Sequence, residues 1–195
     1  QVGWSSPYTL DYSTLNSWLG EEVRHKGLDV SITRLGRFSG SEHDFTVRLA
    51  LFQGNDPTGA MLAWHGWVLG NRQSLLQETL PLPKLPASFV PAASDVFLEL
   101  DKRIGMHASL QWDWLTKAQI QAGYYNNNAD PKIVKNTQWA WATHFNHLSI
   151  KWLLPGDIQL LAQYLQGNTL MVSPRSGVAL VDNDFRSAYL LVSKS

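Results

Sequence analysis

Three close pairs of carboxylates stand out in the chain: Glu21-Glu22, Glu42 with Asp44, and Glu99 with Asp101. Paired carboxyls are what hydrolysis of a glycosidic bond needs, provided they face each other about 5–9.5 Å apart across a cleft. Glu99 and Asp101 would share one face of an extended chain, yet Lys102 and Arg103 follow at once, and a salt-bridged or hydrated cluster is the plainer account. The histidines stand at 25, 43, 65, 107, 144 and 147. On a strand His144 and His147 point to opposite faces, so they do not chelate one metal there. Asn126-Asn127-Asn128 with Asp130 offers oxygens to Ca²⁺ but lacks a second carboxylate and EF-hand spacing, and turn formation is the commoner use of Asn and Asp. There is no Cys, no Gly-x-Ser-x-Gly, no P-loop and no dinucleotide fingerprint. Ser173-Pro174-Arg175-Ser176-Gly177 carries one Arg, too little for a phosphate site. The expectation is a protein that is not an enzyme and holds no cofactor and no metal.

The elements that would position these residues alternate at period two. Ala108-Ser109-Leu110-Gln111-Trp112-Asp113-Trp114, Ala118-Gln119-Ile120-Gln121-Ala122-Gly123-Tyr124 and Leu148-Ser149-Ile150-Lys151-Trp152 each set apolar against polar residues. A period of two means strands with two chemically different faces. Strands are expected at about 27–33, 44–52, 108–115, 118–125, 139–153, 158–166 and 184–194. Between them lie a Gly/Ser-rich turn at 36–43, a short link at Thr116-Lys117, an Asn-rich loop at 126–136, a turn at Pro155-Gly156 and a loop at 167–183. Residues 54–103 form a long insertion, opened by Gly54-Asn55-Asp56-Pro57 and carrying Pro81, Pro83 and Pro86, which forbid a central strand. Residues 1–26 are mixed, with a short helical turn capped by Ser13.

Composition narrows the class. With a 44% hydrophobic content the chain is not disordered, and zero net charge gives no bulk attraction to nucleic acid. Nine Trp among 195 residues suit membrane interfaces, sugar-binding surfaces or large cores. No apolar run reaches the roughly 18 residues of a membrane-spanning helix, but strands cross a bilayer with about 9–11. The connections alternate between short and long along the chain, the pattern of outer-membrane barrels with tight turns on one rim and long loops on the other.

Glu99-Leu100-Asp101-Lys102-Arg103-Ile104-Gly105 leading into a strand and Tyr124-Tyr125-Asn126-Asn127-Asn128-Ala129-Asp130-Pro131 leaving one add a family likeness. With Trp139-Ala140-Trp141, the Leu153-Leu154-Pro155-Gly156 turn and Asp184-Phe185-Arg186-Ser187-Ala188-Tyr189, they resemble porin-like outer-membrane β-barrel proteins of Gram-negative bacteria, loosely similar to phosphate-selective porins. The likeness covers most of the chain. Together with the seven strands read above, it makes the expected fold all-β, an antiparallel up-and-down meander, a partial transmembrane β-barrel of about seven strands forming one domain over residues 1–195. A barrel of that kind is longer and has an even strand number, so the chain is expected to be a fragment. The implied function is a channel in the bacterial outer membrane for diffusion of small polar solutes or ions, with lipid as the surrounding partner, no nucleic acid, and a homo-oligomer as a possible state.

On this reading Leu28, Val30, Ile32, Phe45, Val47, Leu49, Leu51, Leu110, Ile120, Ala122, Leu148, Ile150, Ile158, Leu160 and Ala162 meet lipid, and Trp112, Trp114, Trp152 and Tyr164 form interfacial girdles. The opposite face would line the pore with Asp29, Arg48, Gln111, Asp113, Gln119, Gln121, Lys151, Gln159 and Gln163, whose mixed charges set no ion preference. Trp64, His65, Trp67, Arg72 and Lys84 of the insertion are candidates for solute contact, against a surface loop packed on its own Trp residues. Periodicity alone fits a soluble Trp-rich β-sandwich that binds carbohydrate equally well. A hydrolase using Glu99 and Asp101 is a third reading. Two places read poorly: Phe145 falls on the parity of Lys151, which suggests a bulge or a strand end above the bilayer, and in 184–194 two apolar sets compete for the outward face.

Overall fold

The computed structural model describes residues 26–60, 79–81, 93–95 and 98–194. Its strands in chain order are β1 (Lys26–Arg34), β2 (His43–Gln53), β3 (Leu80–Pro81), β4 (Ala93–Ser94), β5 (Gly105–Trp114), β6 (Ala118–Asn126), β7 (Val134–Lys135), β8 (Gln138–Trp139), β9 (Ala142–Leu154), β10 (Ile158–Val172) and β11 (Ala179–Lys194). Seven of them make one sheet in the order β1-β2-β5-β6-β9-β10-β11, every neighbouring pair antiparallel. The two-residue pairs β3–β4 and β7–β8 are small ribbons inside the long connections. The sheet is therefore an up-and-down meander with β1 and β11 at its edges. The connections 35–42, 115–117 and 155–157 leave and rejoin the sheet at one rim, and 54–104, 127–141 and 173–178 do so at the other, so length follows parity as the sequence suggests.

The cross-strand register gathers the apolar residues on one face. Val47, Leu110, Ala122, Leu148, Tyr164 and Ala188 stand in one row, and Phe45, Trp112, Ile120, Ile150, Ala162 and Leu190 in the next. This is the exposed face: Leu28 is 66% exposed, Ile32 73%, Leu110 53% and Leu190 67%. The other face is the buried one, although it is largely polar: Ser109, Gln121, His147, Ser149, Gln163 and Thr169 are all buried. The usual arrangement of apolar residues inside and polar residues outside is inverted.

The apolar patch crosses the sheet obliquely. On β1 it spans Leu28–Ile32, whose partners on β2 are Leu51–Val47. On β11 it spans Ala188–Val192, and following the register back across the sheet brings Ala188 level with Val47. The upper edge has slipped by four residues, about 13 Å of strand, over six strand spacings, about 29 Å, an obliquity of roughly 25°. Towards the long-loop rim the same face turns polar, with Asn126, His144, Asn146, Gln166, Asn168, Asp184 and Arg186.

On the buried face aromatic rings form a row near the long-loop rim. Phe52 stacks on Tyr125 at 5.3 Å, Tyr125 on Phe145 at 4.7 Å, and Phe185 meets Phe145 at 6.5 Å with its ring tilted by 60°. Gly105 and Gly167 interleave with the rings in the register; a Cβ at Gly105 would strike the Phe52 ring, and one at Gly167 the His144 carbonyl oxygen and the Phe145 Cβ.

Four details refine the sequence reading, one of them by deciding a point it left open. Phe145 needs no bulge: β9 pairs without interruption from Ala142 to Leu154, and the ring points to the buried side because that is where its partners Tyr125 and Phe185 are. In β11 the even set, Ala188, Leu190 and Val192, takes the exposed face. The loop expected at 167–183 is mostly strand, since β10 runs on to Val172 and β11 starts at Ala179; Gly167, Asn168 and Thr169 look like loop residues but continue the ladder beyond the apolar patch. The long strand expected from Trp139 starts at Ala142, because Trp139 belongs to the β7–β8 ribbon.

Gly123 supplies a test of this packing. A Cβ there would run into the His147 imidazole and come within 2.8 Å of the Ala108 carbonyl oxygen. Gly123→Ala is expected to destabilise the refolded protein by about 1–3 kcal/mol through overpacking, read as a lower midpoint in urea. An unchanged midpoint would mean that this face is loosely packed.

Candidate functional site

Two parts of the molecule carry its polar chemistry: the buried face of the sheet and the long-loop rim above it. All nine residues expected to line a pore share the buried-side parity. Gln121 and Gln163 are buried outright, Arg48, Gln111, Asp113, Gln119 and Gln159 are partly so, and Asp29 and Lys151 are exposed. Their charges are largely held within the face. Arg48 sits 3.7 Å from Asp29 across β1–β2. Asp113 accepts hydrogen bonds from the amides of Gln111 and Gln119, each at 2.7 Å. Gln121 donates to Ser109 at 3.3 Å.

Sequence reasoning missed the most specific contact on this face. His107 of β5 and His147 of β9 meet across β6 with their Nε2 atoms 2.9 Å apart and ring centroids at 5.2 Å. Two ring nitrogens at hydrogen-bond distance share a single proton, so one presents Nε2–H and the other a bare Nε2. Gly123 lies between them and leaves room. His107 lies on the parity of Ser109 and Gln111, a signal that was legible; that Gly123 sits opposite His147 depends on strand pairing and was not. His144 and His147 do face opposite ways, the first exposed and the second buried. Among the described residues, the buried Ser149 Oγ and His147 Nδ1 have no protein partner.

At the long-loop rim the first turn of the insertion folds inward. Asn55, Asp56, Thr58 and Ala60 are 0–2% exposed. The Asp56 amide donates to the Leu98 carbonyl at 3.1 Å, and the Trp141 amide donates to the Asp56 carbonyl at 2.9 Å. A Cβ on Gly59 would meet Thr143, Thr169 and Trp141, so the chain passes directly over the buried-side pair Thr143–Thr169, itself hydrogen-bonded at 2.8 Å. Trp141, Ala60 and Met171 make a small core there.

Asp56, Glu99 and Asp101 place carboxylate oxygens within 4.8 Å of one another. The sequence leaves open hydrolysis by Glu99 and Asp101; in the fold both accept hydrogen bonds from backbone amides. Glu99 accepts from the backbone amides of Gly54, Asp101 and Lys102. Asp101 accepts from those of Arg103 and Asp130, with the Arg103 guanidinium also beside it. Asp56 accepts from Leu100 at 2.6 Å. The trio staples the two ends of the insertion to each other and, through Asp130 and Arg103, to the 127–141 loop. Asp130 accordingly forms a turn, with Arg103 on its Oδ2 at 3.0 Å and the Lys132 amide on Oδ1, and Asn126 and Asn127 cap the amides of Asn128 and Ala129.

At the edges of the exposed apolar patch, aromatic side chains keep their polar ends towards water. At the tight-turn rim Trp114 donates its indole N–H to Glu42 at 3.0 Å, Lys117 lies over its ring at 4.6 Å, and His43 stacks on Trp112. At the opposite edge the Tyr164 hydroxyl donates to Gln166, and the Tyr124 hydroxyl accepts from Asn126. The proposed solute-contact residues Trp64, His65, Trp67, Arg72 and Lys84, and the pair Glu21-Glu22, lie outside the described residues. Comparison with protein-family models, curated proteins and solved structures returns no match.

Burial, and then the charges of Glu99 and Asp101, push the Asp56 carboxyl up from the usual carboxylate range to about 7, against the opposing Leu100 hydrogen bond. The folded state thus holds a proton that the unfolded chain releases near pH 4. The stabilisation from that proton is complete below pH 4 and is lost as pH rises through 7. Asp56→Asn, which keeps an oxygen for Leu100, is expected to match the parent below pH 4 and to exceed it by about 2–4 kcal/mol at pH 8 in urea titrations. Parallel pH profiles for the two proteins would contradict this.

Proposed function

We propose that this chain forms part of the wall of an outer-membrane β-barrel through which small polar solutes or ions diffuse. The observation that carries the reading is the inverted polarity of the sheet, with a continuous apolar band exposed and a polar face buried. A soluble protein seldom exposes a contiguous apolar patch beyond a few hundred Å², whereas a bilayer covers such a band completely. The obliquity supports the same reading, because a flat membrane cuts tilted barrel strands at an angle; barrel strands tilt by about 35–45°. So does the aromatic edging, with Trp112, Trp114 and Trp152 towards the tight turns and Tyr124 and Tyr164 towards the loops. In a carbohydrate-binding sandwich a second sheet would cover the apolar face. Among the described residues the only other sheets are two-residue ribbons.

Seven antiparallel strands leave β1 and β11 running in the same direction, so closure of the barrel takes further strands, odd in number, to restore an even count. Asp29, Arg48, Gln111, Asp113, Gln119, Gln121, Lys151, Gln159 and Gln163, with the His107–His147 pair, then face the interior. The buried atoms without protein partners fit an interior that holds water or polar solute, since buried polar groups otherwise find partners.

Leu110→Arg is the direct test. At the middle of a lipid-facing band the charge costs roughly 2–4 kcal/mol, so the variant should insert into phosphatidylcholine vesicles with a lower urea midpoint than the parent. The parent should give ion conductance in planar bilayers. A parent protein that stays monomeric in water without detergent, unaffected by Leu110→Arg, would defeat the proposal.

A further inference from the structure

We infer that a cleft at the long-loop rim binds a small organic anion built on a flat apolar ring, such as an aromatic carboxylate. The cleft, of about 380 Å³, is within the size range of small-molecule sites. Val134 and Trp139 of the β7–β8 ribbon form one wall; Ser173, Pro174 and Arg175 of the β10–β11 turn and Leu180 of β11 form the other. Its surfaces are mainly apolar, with one indole and one prolyl ring able to lie against a planar ligand. Among the described residues Arg175 is the one charged residue in the lining, and its guanidinium has no ion-pair or hydrogen-bond partner there. A guanidinium beside apolar walls selects a carboxylate by a two-pronged hydrogen bond and leaves the walls to take the ring.

Both walls are fixed before any ligand arrives. The 173–178 turn is closed by bonds from Ser173 N to the Val178 carbonyl and from Gly177 N to the Ser173 carbonyl, each 2.9 Å, and is tied to the neighbouring loop by Val172 N to the Pro131 carbonyl. Ribbon β7–β8 turns through Asn136 and Thr137 in the left-handed region and is held by Trp139 packing on the Trp141, Ala60 and Met171 core. Preformed walls lose little ordering entropy on binding. That same core anchors the inward-folding turn of the insertion, so the cleft lies beside the place where the chain crosses the buried face.

The binding itself does not depend on the channel reading; only its role as a capture point at a pore mouth does. The test is equilibrium dialysis of benzoate against the full chain in detergent micelles, with benzyl alcohol and acetate as probes lacking the charge or the ring. Saturable uptake of one benzoate is expected, with benzyl alcohol and acetate each at least about 10-fold weaker. Arg175→Gln, on an exposed turn where the side chain makes no hydrogen bond or ion pair to the described residues, should weaken benzoate about 10-fold or more and leave benzyl alcohol unchanged. Equal affinity for benzoate in the parent and Arg175→Gln, or no saturable uptake, would overturn the inference. Bilayer conductance on the same preparation separates the two proposals: conductance without benzoate uptake removes the site alone, and uptake without conductance removes the channel alone.

Discussion

The antiparallel ladder is the constraint from which the rest follows. It satisfies backbone donors and acceptors within the sheet, strand against strand, from β1 through to β11. In the strands paired on both sides, β2, β5, β6, β9 and β10, the backbone makes no demand on its surroundings, so each face is free to match whatever medium it meets, and that freedom lets a paired sheet, unlike a loop, lie against hydrocarbon. Here the side chains use it in the unusual sense: Leu, Val, Ile and Trp are turned out, while Ser, Gln, Thr and His are turned in.

The two rims divide the remaining work. The tight-turn rim is short and edged with Trp114, Trp112 and their polar partners Glu42, Lys117 and His43. The long-loop rim is stapled by carboxylates whose partners are backbone amides, so Asp56, Glu99 and Asp101 act as caps for irregular chain that has no ladder of its own. Their crowding has a cost, visible in the raised Asp56 carboxyl, and it yields a fixed rim: the turn at Asn55–Ala60 is wedged over Thr143 and Thr169. Beneath it the aromatic row Phe52, Tyr125, Phe145 and Phe185 fills the buried face at that level.

Strand existence, pairing order and the two faces were legible because period two is imprinted directly in runs such as Ala108–Trp114 and because up-and-down order is the simplest way to connect short turns. The seven-stranded antiparallel meander is as expected, and the loop parity holds. Strand ends were not legible where a strand outruns the apolar patch: Gly167, Asn168 and Thr169 carry the composition of a loop yet pair fully with Phe145, His144 and Thr143 in turn. Phe145 looked misplaced because an inward aromatic breaks the polar pattern of its face, and only the cross-strand register brings Tyr125 beside it. The His107–His147 bond joins residues forty apart in sequence and depends on Gly123 between them, so it was invisible to spacing. The acidic pair Glu99 and Asp101 was found but not its use, since carboxylates that cap amides and carboxylates that do chemistry are the same residues until their neighbours are known.

Absence of cysteine from the chain allows the central claim to be tested one position at a time. Single cysteines at Val47, Leu110, Leu148 and Leu190 on the exposed face, and at Thr46, Ser109, Ser149 and Gln163 on the other, can carry nitroxide labels after refolding into lipid vesicles. The first set should collide with dissolved oxygen more than with a water-soluble nickel chelate, and the second set should not, so that adjacent residues of β2, β5 and β9 give opposite results. Equal access of the nickel chelate to both sets, or the reversed phase, would contradict a bilayer against the apolar face.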